Sequence, residues 1–278
     1  MIQDLLLPVT ATAGDGAAMD AGIALADAFD ARLSVIHRVS LPNPALGPMG
    51  IAPDYLYSDL YVHLRNAGKA AAERDDARLR RAGVAADVRV VETFAADPPY
   101  PLQLHARYAD MAILPGPAPE HAARAYDYFH GLLFESGRPV LVVPPTGRAA
   151  LPPRRAVVAW VPTREAARAL HDAMPLLARC DAVDVLVVDP KVGSAAYGED
   201  PGADIAAHLA RHGLEVNLVS RAGGGASVAS VLLRHCAESG AGLLVAGGYG
   251  HSRLKQWALG GTTRELFETL AVPVLFSH

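Results

Sequence analysis

The chain repeats one pattern twice: five short apolar runs, bounded by turn residues and separated by stretches of helical period. The runs of the first half are DLLLPV from Asp4, LSVIHRV from Leu33, DVRVV from Asp87, MAIL from Met111 and PVLVVP from Pro139. Those of the second half are AVVAW from Ala156, VDVLVV from Val183, LEVNLV from Leu214, GLLVAG from Gly242 and PVLFS from Pro273. Short strands that alternate with helices are typical of βαβ units. The repeat predicts an α/β fold with two tandem open parallel five-stranded sheets flanked by helices.

The join between the repeats is predicted in PPTGRAALPP, from Pro144 to Pro153. Prolines at both ends and a glycine between them cannot continue a strand or a helix. We place the boundary at Gly147, which gives domains over residues 1–147 and 148–278. A chain of 278 residues is long enough for two such domains.

Composition narrows the function classes. Apolar residues make up 51% of the chain and charged residues 19%, as in ordinary globular proteins. The net charge of −4 is spread without a basic stripe, which argues against nucleic-acid or membrane partners. Cys180 and Cys236 form no CxxC pair, which argues against a disulfide scaffold or a structural zinc site. The start MIQDLLLPVTATAGDG lacks a basic region, so we expect a cytoplasmic protein without a signal peptide or membrane span.

One helix of the second half has a clear apolar face. In REAARALHDAMPLLA, four residues recur at spacings of three and four: Ala166, Leu170, Ala173 and Leu177. They share one side of the helix, which should cover the sheet. Thr163 comes directly before this stretch and is predicted to be its N-cap, since its hydroxyl can accept a bond from a free amide.

The stretch VAGGYGHSRLKQWALGGTTRE, from Val245 to Glu265, carries two glycine clusters. The first follows a predicted strand, at the edge of the sheet where open α/β folds bind ligands. The second, Gly260 and Gly261, precedes Thr262, Thr263 and a predicted helix. A helix N-terminus with free amides suits a phosphate. The alternative is a tight turn followed by a capping box made by Thr262 and Glu265.

Three better-known motifs do not fit this stretch. A P-loop needs a lysine after its closing glycine, but Gly261 is followed by two threonines. The dinucleotide fingerprint needs a glycine where Arg253 stands. A nucleophile elbow needs one where Leu254 stands. No set of nucleophile, base and oxyanion donors is found, so no catalytic residue is predicted.

The second half resembles a universal stress protein domain, whose nucleotide-binding members carry Gly, two residues, Gly, nine residues, Gly and then Ser or Thr. Gly247, Gly250 and Gly260 have that spacing. The first half is similar to a diverged copy, so the resemblance covers nearly the whole chain. It implies a stress-response or signalling protein that binds ATP, with Mg²⁺ accompanying it, in the second domain. The implied nucleotide-binding residues are Val161, Thr163, Gly247, Gly250, Gly260, Gly261, Thr262 and Thr263.

The resemblance also implies an internal pseudo-dimer, with the fifth strands, at Val140 and Val274, near the mutual interface. In the first half the matching stretch keeps Gly116, but Pro115, Pro117 and Pro119 remove amide donors, and the second glycine cluster is missing. We therefore expect no nucleotide in the first half.

Two departures from the family pattern favour an alternative function, a scaffold that binds no nucleotide. Gly261 stands where the pattern has Ser or Thr, and Val161 stands where nucleotide-binding members tend to have an acid. A scaffold would act through a protein partner or a homodimer. The insertion SLPNPALGPMGIAPDYLYSDLY from Ser40 is either a lid or contact surface for such a partner, or a packed surface loop. Slow ATP hydrolysis ranks last, because no water-activating group is found.

His208 and His212 stand four residues apart, which is metal-ligand spacing on a helix. The sequence offers no third ligand beside them. The pattern favours a solvated helix face, and no metal site is predicted.

Overall fold

A computed structural model describes residues 1–43, 46–47, 50–51, 55–94, 100–147, 149–190, 193 and 200–278 except 249–260. In the first half the elements are β1 (Asp4–Val9), α1 (Asp15–Phe29), β2 (Arg32–Leu41), β3 (Leu46–Gly47), β4 (Gly50–Ile51), α2 (Tyr55–Ala82), β5 (Ala86–Phe94), α3 (Tyr100–Ala106), β6 (Met111–Pro115), a 3-10 turn (Pro119–His121), α4 (Ala122–Glu135) and β7 (Val140–Val143).

The second half repeats the series. Its elements are β8 (Arg155–Ala159), α5 (Arg164–Leu177), β9 (Ala182–Val188), α6 (Ala203–Arg211), β10 (Val216–Arg221), α7 (Val228–Ser239), β11 (Leu243–Gly247), α8 (Gly261–Glu268) and β12 (Val274–Ser277). All ten apolar runs that were predicted to be strands contribute to strands in the structure. The helix predicted after Thr163 is α5. These predictions are confirmed.

The strands form one ten-stranded sheet in the order β10-β9-β8-β11-β12-β7-β6-β1-β2-β5. Five strands of each half run parallel to one another, as predicted. The halves meet where β12 pairs antiparallel with β7, with Phe276 opposite Val140 and Val274 opposite Val142. The predicted interface of the fifth strands is thus confirmed. The sequence analysis did not predict that this pairing makes the two five-stranded sheets continuous.

Two layers of helices cover this sheet. One layer packs on a core built from α1, α2, α5 and α6, with Leu25, Leu79, Leu170 and Leu209 among its buried residues. The other layer packs on a core built from α3, α4, α7 and α8. The central strands, such as β6, β7, β9 and β12, are buried on both faces, which explains why they are near-continuous apolar runs in the sequence, whereas the edge strands β5 and β10 are partly exposed.

The insertion after Ser40 differs from the predicted surface loop. Its last part forms the start of α2, a helix of 28 residues. Tyr61 lies in that helix, and its hydroxyl donates to the carbonyl of Pro42 at 2.8 Å. In the proline-rich part before the helix, β3 pairs antiparallel with β4, and residues 44–45, 48–49 and 52–54 lie outside the described residues. None of the described helices is both long and apolar enough to cross a membrane.

Candidate functional site

A cavity of about 400 Å³ opens at the C-terminal ends of β8, β9 and β11. Ligand sites of open α/β sheets lie at this edge, and small-molecule pockets are typically about 300–1,000 Å³. The cavity is bounded by the first turns of α5 and α8 and by α7. Its walls are Ala159, Trp160, Val161, Thr163, Glu165, Ala166, Leu186, Val188, Val228, Leu232, Ala246, Gly247, Gly261, Thr262, Thr263 and Leu266.

Backbone hydrogen bonds position the wall that leads from β8 into α5. The Trp160 amide donates to the carbonyl of Leu186 at 2.9 Å, which extends the sheet past the last residue of β8. The Thr163 amide donates to the carbonyl of Val161 at 2.7 Å. The Thr163 hydroxyl then accepts from the Ala166 amide at 3.3 Å. The predicted N-cap is confirmed, and α5 begins at the cavity.

Replacing Thr163 with alanine is expected to lower the free energy of unfolding by about 1 kcal/mol, because the Ala166 amide loses its acceptor. Urea denaturation of the two proteins measures this loss. Thr163→Ser is the control, since serine keeps the hydroxyl. An alanine variant as stable as the wild type would show that the cap contributes nothing.

Gly247 ends β11 where that strand comes closest to the first turn of α5. A β-carbon at this position would lie 2.7 Å from the Ala166 nitrogen and 2.8 Å from the Glu165 carbonyl carbon. Both contacts are with backbone atoms, so only glycine fits without moving the helix. Gly247 therefore has a packing role in addition to its place in the cavity wall.

The first turn of α8 forms the opposite wall. Gly261 and Thr262 are exposed there, and Thr263 is buried. Amides in the first turn of a helix have no partner within the helix, and the helix dipole adds partial positive charge. The predicted capping box is wrong, because Thr262 lies inside the helix rather than before it. The Glu265 carboxylate instead accepts a hydrogen bond from Ser227, which links α8 to the start of α7.

The floor and one side of the cavity are apolar. Leu186 and Val188 come from β9, and Val228 and Leu232 come from α7. Trp160 also belongs to the lining, but its side chain packs against the core under α1, α2, α5 and α6, on the other face of the sheet. A flat apolar ring, such as a nucleobase, buries its faces favourably against side chains of this kind.

Glu165 is the one ionisable side chain among the described residues of the lining. It is 6% exposed and accepts a hydrogen bond from the Arg164 guanidinium. Burial alone would raise the pKa of the Glu165 carboxyl, but the bond from Arg164 and backbone hydrogen bonding outweigh burial, so the pKa is lowered. The carboxylate is therefore ionised at neutral pH.

The walls offer matching surfaces for part of an adenine nucleotide. The apolar side suits the base, and the partial positive charge at the first turn of α8, with the Thr262 hydroxyl, suits a phosphate. A dedicated Mg²⁺ site would need several oxygen ligands. The described lining has one carboxylate, Glu165, which is already paired with Arg164. Any Mg²⁺ would have to be held largely by the phosphates of the nucleotide itself.

The structure brings together most of the residues predicted to bind a nucleotide. Six of them line the cavity: Val161, Thr163, Gly247, Gly261, Thr262 and Thr263. The other two, Gly250 and Gly260, lie outside the described residues. The sequence analysis did not find Trp160 or Glu165. An acidic residue in the first turn of a helix is common, so the sequence carried no signal that would single out Glu165.

At the corresponding edge of the first half, several side chains contact one another or the backbone. The Thr10 hydroxyl donates to Asp15 at 2.7 Å, and Arg124 donates to the Thr10 carbonyl at 3.5 Å. The guanidinium of Arg38 lies 5.6 Å from the ring centre of the buried Tyr128. These polar groups satisfy one another.

Gly116, the glycine kept in the first half, is also covered. A β-carbon there would lie 2.4 Å from a methyl carbon of Leu270, and its amide donates to the carbonyl of Val143. Close packing explains this glycine without a ligand.

No family model matches the chain, and no curated protein sequence matches it either. Solved structures do match over its full length. A universal stress protein from Archaeoglobus fulgidus DSM 4304 is 17% identical, with a TM-score of 0.70 over 99% of this chain and 97% of its own. A functionally unknown protein from Pseudomonas aeruginosa PAO1 is 15% identical, with a TM-score of 0.59 over 99% of this chain and 92% of its own. The chain thus has the universal stress protein fold along its whole length.

Proposed function

We propose that the protein is a universal stress protein that binds an adenine nucleotide, ATP foremost, in the cavity of its second half. The observation that carries this proposal is the convergence of six predicted residues on one cavity at the ligand-binding edge of the sheet. Val161 and Thr263 are far apart in the sequence, yet both line this cavity, from opposite walls. Nucleotide binding would then serve sensing or signalling in a stress response.

In this proposal, the two sides of the cavity bind different parts of the nucleotide. The base and ribose lie against the apolar wall, beside Val161 and Val188. The phosphates lie at the first turn of α8, beside Gly261 and Thr262, and Mg²⁺ accompanies them. Binding rather than turnover is proposed, because the one carboxylate of the described lining is engaged with Arg164 and is a poor general base.

The first half serves as a structural partner. At its cleft the Thr10 hydroxyl donates to Asp15, and Arg124 donates to the Thr10 carbonyl. We propose a domain boundary near Gly147, in the connection between β7 and β8. Nucleotide binds only in the domain that follows this boundary.

A scaffold function is the second candidate, and one observation favours it. Leu60 and Val62 lie near the start of α2 and are 44% and 53% exposed. They are two residues apart and so face different sides of the helix, and each offers an exposed apolar side chain to a protein partner. A scaffold of this kind would bind a protein and leave the cavity empty of nucleotide.

Mass spectrometry of ligand released from freshly purified protein tests the proposal directly. The expected result is an adenine nucleotide in a ratio of at most one per chain. Calorimetric titration with ATP then measures stoichiometry and affinity. Two equivalent ATP sites per chain would contradict the assignment to the second half, and no binding at millimolar ATP would leave the scaffold as the function.

Trp160 provides an optical signal for the same site. The chain has two tryptophans, so in a Trp257→Phe background all tryptophan emission comes from Trp160 in the cavity wall. ATP is expected to change this emission saturably, because Trp160 belongs to the cavity lining and its surroundings change when the cavity is filled. GTP is the control for base selectivity. Emission that stays constant while calorimetry detects ATP binding would place the nucleotide elsewhere on the protein.

A further inference from the structure

A second cavity, of about 360 Å³, opens in the first half near the amino ends of β1 and β2 and beside β5. Leu6, Ile36 and Ala109 in its lining belong to the core under α3 and α4. The polar part of the lining includes Arg32 and Arg89. This cavity is separate from the one at the carboxyl ends of the strands in the second half, which shares no lining residue with it.

The matching place in the second half holds a buried polar cluster. Asp184 of β9 is at its centre and is 3% exposed. The Asn217 amide donates to one Asp184 oxygen at 3.0 Å, and the Arg155 guanidinium donates to the same oxygen at 3.3 Å. The His235 ring, on α7, lies 3.0 Å from the other oxygen. These side chains occupy the space between α7 and the sheet.

The repeat relates the two places position by position. Ser34 is the third residue of β2, as Asp184 is of β9. Ser34 pairs with Asp87 on the next strand, and Asp184 pairs with Asn217. The first half thus has a short serine where its copy has the central aspartate.

The histidine is present in both copies. His105 lies on α3, the helix before β6, and its counterpart in the second half lies on α7, the helix before β11. With serine on the strand facing it, His105 has no hydrogen-bonding partner among the described residues. The helix α3 also ends one residue after His105, whereas α7 continues to Ser239. A shorter strand side chain and a shorter helix together account for the open space.

Asp87 fixes two arginines at this cavity. Its carboxylate accepts from Nε of Arg32 at 3.2 Å, from Nε of Arg89, and from the Ser34 hydroxyl at 2.7 Å. Because each guanidinium bonds through Nε, its Nη groups remain, and neither arginine donates from Nη to another described residue. The remaining N–H groups of a guanidinium match the two oxygens of a carboxylate.

The charges around the cavity limit the kind of anion. Asp87 offsets one of the two arginines, and the exposed Asp4 in the lining offsets the other. Burial, and next the neighbouring Arg89, lower the pKa of His105, so its ring adds a hydrogen-bonding group without a charge at neutral pH. A nearly neutral site with directed donors suits a monoanion better than a polyphosphate.

The rest of the lining is suited to an apolar group. Leu6 and Ile36 form an apolar surface and are each 1% exposed. The Tyr108 side chain also lines the cavity and is largely exposed to solvent. A tyrosine ring at an open mouth can cover an apolar or aromatic ligand group. The volume lies at the lower end of the range for small-molecule pockets, about 300–1,000 Å³.

We propose that this cavity binds a small organic monoanion, a carboxylate attached to an apolar or aromatic group. The carboxylate accepts hydrogen bonds from Arg32 and Arg89. The apolar group lies on Leu6 and Ile36, beside Tyr108. Such a ligand would give the first half a binding function of its own, independent of nucleotide binding in the second half.

Titration of the full-length protein with 4-fluorobenzoate, followed by fluorine NMR, tests the proposal. Saturable binding to one site per chain is expected. Arg89→Gln and Arg32→Gln should each weaken it about fivefold or more, because each removes charge-assisted donors. Arg154→Gln is the matched control, since Arg154 also bonds an aspartate through Nε but lies in the second half. It should bind as the wild type does. Melting temperatures confirm that each variant is folded.

Ser34→Asp is a second variant, which places in the first half the residue that its copy has. The new carboxylate would face His105 and repel the anion, so binding should be lost. The neutral 4-fluorobenzyl alcohol should bind the wild type much more weakly than the acid, and inorganic phosphate should not displace the acid.

Three results would overturn the proposal. The first is no binding by the wild type at about 5 mM 4-fluorobenzoate, which is weaker than any specific site of this size should be. The second is an affinity of the Arg89 or Ser34 variant within about twofold of the wild type, which is less than the loss of one charge-assisted bond. The third is equal affinity for the alcohol and the acid, since the arginines would then take no part in binding.

Discussion

Replacing Phe129 with alanine is expected to lower the free energy of unfolding by about 3–5 kcal/mol, as for other fully buried aromatic residues. Phe129 belongs to α4 of the first half and is fully buried. Its ring stacks on Phe267 of α8 at 4.4 Å and meets Phe276 of β12 edge to face at 5.0 Å. The substitution therefore leaves a cavity between the halves and removes two aromatic contacts across their interface.

Urea denaturation followed by circular dichroism measures this effect, and Phe129→Leu is the control. Leucine keeps much of the apolar volume, so its loss of stability should be clearly smaller. We also expect the alanine variant to broaden the transition, because the halves lose part of the packing that couples them. A loss below about 1 kcal/mol would mean that the pairing of β7 with β12 holds the halves together without the aromatic cluster.

Replacing Gly261 with valine is expected to weaken ATP binding tenfold or more, equivalent to at least about 1.4 kcal/mol, without lowering the melting temperature. A β-carbon at Gly261 meets no atom of the described residues within 4 Å, and the residue does not have a positive φ. The protein can therefore accept the side chain, which would stand in the space beside the cavity and block phosphate from the amides of α8.

Gly247→Val is the matched comparison, since it lies in the same cavity wall but clashes with the backbone of α5. It should lower the free energy of unfolding by about 1–3 kcal/mol even without ligand. Gly16→Val tests specificity, because a β-carbon at Gly16 is equally unobstructed but lies at the start of α1 in the first half. It should leave ATP binding unchanged. Equal ATP affinities for the wild type and the Gly261 variant would exclude α8 as the phosphate site.

The strands and the α5 helix could be predicted because their signals are local. Buried parallel strands such as that at Val183 are continuous apolar runs, and α5 has a regular apolar face behind an N-cap at Thr163. The interface of the fifth strands, at Val140 and Val274, came from resemblance to a family rather than from a local signal.

The features that the sequence analysis got wrong or missed depend on contacts between residues that are far apart in the chain. The capping box at Thr262 depended on where α8 begins, and the Glu265 carboxylate found a partner in Ser227, on another helix. The contact of His171 with His208 depends on the packing of two helices. Likewise, the role of Gly247 is visible only once α5 is placed against β11. Such contacts leave no period or spacing in the sequence.

The antiparallel seam between β7 and β12 has a consequence for how the two halves can diverge. Because strand direction reverses at the seam, the C-terminal ends of the first five strands and of the last five lie at opposite edges of the sheet. The two clefts therefore face away from each other, and no single small molecule can touch both. Each cleft is built by one copy of the repeat alone. A duplicated gene with this geometry can fill one cleft with side chains and keep the other open, because changes at one edge do not alter the walls at the other.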